Sequence, residues 1–220
     1  MTLIPHKDAS LLTLNQRKAD VIRQKIFDGE FLPGQRLSEA ALSESLEISR
    51  NTLREVFRIL TQEGLLSHAP NRGVSVATPT AAAIVDIYRV RRLIECQALA
   101  QAYPQHPARQ QMRAAVEQAL RCREADDWRG VGTANMEFHR AIVRLADSPR
   151  LNAMFEQMLA ELRLAFGLLK DSALLHGPYI ETNQRILALF EAGQLGESAA
   201  LLQDYLQHSE RVVLGAVGRA

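Results

Sequence analysis

The sequence predicts a mostly α-helical fold, with an N-terminal winged helix-turn-helix followed by an all-helical bundle of about six helices. Three observations predict it. Apolar residues recur at helical spacing in nearly every segment. Two helical stretches, 38–46 and 49–64, are separated by only two residues, which is the spacing of a helix-turn-helix. Directly after them, 65–77 holds two short β-type runs around a Pro70-Asn71-Arg72-Gly73 tip, and no comparable run follows.

Each element has a local reason. A first helix over 14–28 carries Val21, Ile22 and Ile26 as its apolar stripe and stops at Gly29. Pro33-Gly34 redirects the chain. Ser38 is a good N-cap for the short second helix, and Ser49 opens the third, which Gly64 closes. The stretch 77–83 joins the two parts, so 1–12 reads as a flexible tail, 13–78 as the winged domain and 79–220 as the helical domain. Helices in the second part are expected near 80–102, 107–125, 127–147, 150–171, 178–192 and 195–215.

Composition bounds the function classes. About half the residues are apolar and about a quarter are charged, which is ordinary for a soluble globular protein. Apolar runs fall short of the roughly 20 residues that cross a bilayer, and the start lacks the pattern of a secretory signal. No membrane partner is expected. Cys96 and Cys122 lie outside any CxxC pair and read as reduced, structural thiols of a cytoplasmic protein. Net charge is +1 for the whole chain, and residues 1–78 carry 10 Lys+Arg against 9 Asp+Glu. Nucleic-acid binding therefore has to rest on where the basic side chains point. No G-x-S-x-G, HExxH, Walker or GxGxxG pattern appears, so no enzyme is expected.

On the third helix Leu53, Val56, Phe57 and Leu60 share one face, at i, i+3, i+4, i+7 spacing. Asn51, Arg54 and Arg58 fall opposite, with Arg50 beside them. Arginine suits guanine O6 and N7 in a major groove, Asn51 and Thr52 reach bases or phosphates, and Ser49 with the N-terminal amides suits a phosphate. Arg72 stands at the wing tip, and Gly73 beside it permits close approach. The plainer alternative is a solvated face whose arginines pair with glutamates.

Residues 26–76 resemble the GntR family of bacterial transcription regulators. The matching elements are Gly29…Pro33-Gly34…Leu37, Ser49-Arg50…Arg54-Glu55, Leu60…Glu63-Gly64-Leu65-Leu66 and Arg72-Gly73…Val76. The remainder resembles the FadR-type effector domain (FCD) in its smaller, VanR-like variety, through VRRLIE (90–95), FHRAIVRLADSPRL (138–151) and NQRILALFEAGQ (183–194). The resemblance implies a homodimer on a short palindromic operator of double-stranded DNA and a helical domain that senses a small molecule. Arg50 and Arg54 would read bases, Ser49, Asn51 and Thr52 would position the helix, and Arg36 with Arg72 and Gly73 would lie near the backbone.

Many domains resembling this one hold a divalent metal with one Asp and three His. The matching positions here are Asn135, His139, Asn183 and Tyr205, so one of four ligands remains. Two neutral amides and a phenol of ordinary pKa about 10 make poor ligands. His208, about 60° round the helix from Tyr205, would need a rearrangement to join. No metal or other cofactor is expected. The same four side chains read instead as a hydrogen-bonding wall for an organic effector. Arg91 adds a charge able to grip a carboxylate, although Glu95, four residues on, is equally placed to pair with it. The bland alternative is that these groups satisfy one another in a closed bundle. His6, His68, His106 and His176 read as isolated surface histidines.

Together these features predict a ligand-responsive bacterial transcription regulator, by analogy a repressor, whose DNA affinity answers to a small organic acid. Two alternatives stay open: a ligand-independent DNA-binding scaffold with a structural polar core, and a metal-dependent sensor with a degenerate site. A third, an enzyme using His139 as general base, asks for an acid or nucleophile near it, where the sequence supplies only Asn and Tyr.

Overall fold

Local signals on the chain account for most helix starts. The computed structural model describes residues 13–69, 73–169 and 172–217; the expected tail (1–12) and the wing-tip residue Arg72 lie outside them. The chain divides between Ala77 and Thr78 into two units.

In the first unit, α1 (Leu14–Phe27) opens on a capping box in which Thr13 and Gln16 each accept the other's backbone N–H. Helix α2 (Glu39–Ser45) and α3 (Arg50–Gln62) are capped by Ser38 and Ser49, whose hydroxyls accept from Ala41 and Thr52. Between them Glu47 adopts φ 54°, the left-handed bend that a turn this short requires. Ile22, Ile26, Leu53, Val56 and Leu60 are fully buried between α1 and α3. Arg23 clamps the end of α3 to α1 through a forked pair with Glu63, its Nη2 lying 2.8 Å from both carboxylate oxygens. Strand β1 (Leu66–Ala69) pairs antiparallel with β2 (Gly73–Val76), with Leu66 opposite Val76. The Pro33-Gly34 turn does more than end a helix. The segment after it lies along β2, with Leu37 N–H donating to the Val74 carbonyl at 2.9 Å and Val76 N–H to Gln35 at 2.9 Å.

The described residues of the second unit form α4 (Ala81–Gln101), α5 (Ala108–Glu124), α6 (Trp128–Arg144), α7 (Pro149–Phe166), α8 (Ser172–Glu191) and α9 (Leu195–Val217). Thr80, Asp127 and Ser148 cap α4, α6 and α7, and Pro149 occupies the first position of α7, where its missing N–H costs nothing. Helix α8 starts six residues before the expected 178. Pro178 lies inside it and forfeits one ladder bond without ending the helix. Helix α4 packs on α9, α9 on α8, α8 on α6, and α6 back on α4, closing a ring of four; α5 lies against α6 and α8, and α7 against α4, α6 and α9. No helix among the described residues is long and apolar enough to cross a membrane.

Gly130 shows how tightly the second unit is built. A Cβ there would lie 2.6 Å from Cys122 Sγ and closer still to the Asp127 carboxylate. That carboxylate caps α6 by accepting from Gly130 N–H at 2.8 Å. Gly130→Ala therefore has to displace the cap. It should destabilise the protein by about 1–2 kcal/mol, the crowding and lost cap outweighing the helix propensity alanine gains. Urea unfolding checks this: an unchanged or higher midpoint would show that Asp127 swings aside without cost.

Candidate functional site

Two places gather the residues singled out in the sequence. The first is the outer face of α3. Leu53, Val56, Phe57 and Leu60 are buried, and Arg50, Asn51, Arg54 and Arg58 are exposed on the other side. Ser49 and Thr52 are mutually engaged, hydroxyl to hydroxyl at 2.9 Å, at the helix start. Arg54 Nε donates to Glu39 on α2 at 3.2 Å. Arg58 Nε donates to Glu55 at 3.1 Å. Both pairs are solvent-exposed and hold their arginines weakly. Arg36 bridges to Ser75 on β2. Its guanidinium covers Gly73, where an added Cβ would sit 3.6 Å from Nη2. The α3 row and the Arg36–Gly73 corner both belong to the first unit.

The second place is the interior of the four-helix ring, where each helix contributes polar side chains to an otherwise apolar core. Arg91 and Glu95 come from α4, Asn135 and His139 from α6, Asn183 from α8 and Tyr205 from α9; all six are buried. The i, i+4 spacing on α4 and α6 puts each pair on one inward face. Arg91 Nε donates to Glu95 Oε1 at 2.7 Å. The other carboxylate oxygen lies 2.5 Å from His139 Nδ1. Asn183 Nδ2 donates to Asn135 Oδ1 at 2.7 Å, and Asn135 Nδ2 donates to the Tyr205 hydroxyl at 3.0 Å. The Tyr205 ring lies 5.0 Å from that of His139 and 4.3 Å from that of Tyr179.

Electrostatics fix the protonation states. Burial pushes Glu95 up, but the Arg91 guanidinium and His139 outweigh it and hold the carboxyl below its ordinary range. Burial holds His139 below the ordinary imidazole value, against the pull of Glu95. His139 is thus neutral, donating from Nδ1–H to Glu95 and presenting a lone pair at Nε2. Burial likewise raises the Tyr205 phenol well above its usual value.

These contacts change several sequence expectations. Glu95 supplies the carboxylate beside His139 that the sequence did not place there; its signal was the R-x-x-x-E pattern, read only as a partner for Arg91. Arg91 is not a free cation, because Glu95 neutralises it at close range. His106 is buried rather than exposed, with Nδ1 accepting from Ala108 N–H at 3.1 Å. His68 and His208 are exposed. His6 and the side chain of His176 lie outside the described residues. The set Asn135, His139, Asn183 and Tyr205 does not suit a divalent cation. Asn135 Oδ1 is already taken by Asn183, the phenol keeps its proton, and what remains is one imidazole nitrogen and the neutral amide oxygen of Asn183.

Removing the carboxylate leaves the buried Arg91 guanidinium bare, so Glu95→Ala should cost about 3–5 kcal/mol. Below pH 6.5 the unfolded chain takes up a proton that folded His139 refuses, so stability falls with falling pH. Glu95 adds a loss of the same sign below 4.5. Urea midpoints at pH 7.5 and 5.5 should drop less in His139→Gln than in the wild type; an equal drop would place the acid sensitivity elsewhere.

With this geometry in hand, comparison with known proteins is informative. The model of the bacterial regulatory proteins of the gntR family matches residues 14–76, and that of the FCD domain matches residues 86–208. The crystal structure of a GntR protein from Rhodococcus sp. RHA1 is 38% identical, with a TM-score of 0.87 over 92% of this chain and 98% of that one. The HTH-type transcriptional regulator YdhC of Bacillus subtilis is 36% identical over 34% of this chain and 33% of its own length. The chain spans about a third of the length of the first curated relatives it matches. A protein of Paenarthrobacter nicotinovorans named a probable D-xylose utilization operon transcriptional repressor is 27% identical over 77% of this chain and 78% of its own. A winged unit with an arginine row, a helical ring around polar residues and these matches lead to one assignment: the chain belongs to the GntR family of bacterial regulatory proteins and carries the FCD domain.

Proposed function

We propose that the protein is a cytoplasmic transcription regulator of the FadR subfamily, with a VanR-like effector domain. It binds a palindromic operator as a homodimer and acts as a repressor whose grip on DNA answers to a small organic effector. The observation that carries the DNA-binding part is the division of α3, apolar stripe buried and Arg50, Asn51, Arg54 and Arg58 exposed. Arg50 and Arg54 read bases, with Arg58 on the same groove-facing side, Ser49, Asn51 and Thr52 position the helix, and Arg36 and Gly73, with Arg72 beyond the described residues, lie near the backbone. Residues 13–78 hold this activity, and 79–220 hold effector binding and dimerisation.

The effector part rests on the ring interior, where two hydrogen-bonded groups, Arg91 with Glu95 and His139, and Asn135 with Asn183 and Tyr205, meet through the ring contact of His139 and Tyr205. We do not read the Glu95–His139 pair as a catalytic dyad. His139 Nε2 has no hydrogen-bond partner among the described residues, so no nucleophile is poised on it. The ligand-independent scaffold gains nothing from buried polar atoms left without partners. The organic-acid expectation loses its main support, since the charge of Arg91 is compensated.

Arg54→Ala should reduce discrimination between operator and scrambled DNA roughly 10- to 100-fold, as expected for one bidentate guanine contact of about 1–3 kcal/mol. Competition binding measures the ratio directly. An unchanged ratio would remove Arg54 from base reading.

A further inference from the structure

Three buried polar atoms in the ring interior meet no protein partner among the described residues: Arg91 Nη2, His139 Nε2 and Asn183 Oδ1. Their residues are no more than 4% exposed. They come from three different helices, α4, α6 and α8, and from two hydrogen-bonded groups that meet where the His139 and Tyr205 rings lie 5.0 Å apart. Arg91 reaches His139 through the single carboxylate of Glu95. His139 follows Asn135 by one helical turn, and Asn135 holds Asn183. Leaving a buried polar group without a partner is costly, so the three together call for an occupant.

The polarity of the three atoms says which kind. Arg91 Nη2 is a donor. Asn183 Oδ1 is an acceptor, its amide nitrogen being committed to Asn135. His139 Nε2 is an acceptor, its proton lying on Nδ1 toward Glu95. A molecule that meets all three would donate twice and accept once. A carboxylate brings only acceptors and would face two lone pairs, while the Arg91 charge is already neutralised by Glu95. An ammonium would face Arg91. A hydroxyl both donates and accepts, and neighbouring hydroxyls supply the required pattern. The rings of His139, Tyr205 and Tyr179, 4.3–5.0 Å apart in succession, add apolar surface for the C–H faces of such a molecule.

We propose that the polar interior of the α4–α6–α8–α9 ring binds a neutral, polyhydroxylated small molecule, held by Arg91 Nη2 as donor and by His139 Nε2 and Asn183 Oδ1 as acceptors, and that it rejects the corresponding carboxylates. The inference rests on the effector reading above and narrows it to a ligand class.

The test is calorimetric titration and thermal shift of the full chain with pentoses, hexoses and their alditols, each paired with its aldonic acid. At least one neutral compound should bind saturably and at least tenfold more tightly than its acid. Glu95→Gln, which leaves Arg91 uncompensated, should narrow or reverse that ratio. If acids bind more tightly than their neutral partners to the wild type, the ligand class is wrong and the effector reading stands. If no compound of either series binds, the ligand-class inference falls; if, in addition, a fractionated bacterial metabolite extract fails to release operator DNA, the effector reading falls with it. Should Glu95→Gln not fold, the wild-type series alone decides.

Discussion

The second unit is organised around one carboxylate. Glu95 lies fully buried, accepts from Arg91 on its own helix and from His139 across the ring, and so makes two costly side chains tolerable in an apolar interior. Without it the guanidinium would be a bare charge and the imidazole would lose its fixed tautomer. Such pairs add little net stability compared with apolar residues of the same size. Their effect here is geometric, because the carboxylate orients the arginine fork and fixes the histidine proton on Nδ1, leaving Nε2 as an acceptor. Asn135, Asn183 and Tyr205 then complete a patch whose internal hydrogen bonds leave a defined remainder.

How much of this was legible in the sequence divides along a physical line. Caps are local, and Ser38 and Ser49 announced α2 and α3; the stripe through Leu53, Val56, Phe57 and Leu60 announced which face of α3 is buried. The bond from Glu95 to His139 joins residues 44 apart in the chain, and nothing in helical periodicity brings α4 against α6. The same holds for His106, which a loop position suggested was exposed and which the structure buries beside Ala108. The strand-like segment after Gly34 was missed because its pairing with β2 is long-range, its own sequence showing only a turn. Pro178 misled in the other direction: a proline signals a helix boundary, yet α8 absorbs it at the loss of one hydrogen bond.

The donor set matters more than its resemblance to a metal site. Position by position, Asn135, His139, Asn183 and Tyr205 look like a depleted ligand set. In three dimensions Asn135, Asn183 and Tyr205 are bonded to one another, and the histidine is held by a residue outside the set. A ligand that binds the ring interior changes DNA affinity only if it favours one arrangement of the protein over another. On the proposed reading such a preference would originate at the unpartnered atoms, whose satisfaction depends on how closely α4, α6 and α8 approach.

The weak pair between Arg54 and Glu39 has a consequence for how operators are told apart. An arginine that already has a partner gains from DNA only the difference between two contacts, so on the proposed reading every sequence is held slightly less tightly. Where a guanine waits, the bidentate contact more than replaces the lost one. Where none does, Glu39 leaves a negative charge facing the phosphate backbone. The pair thus trades grip for contrast, shortening the stay of the protein on the many sites that are wrong.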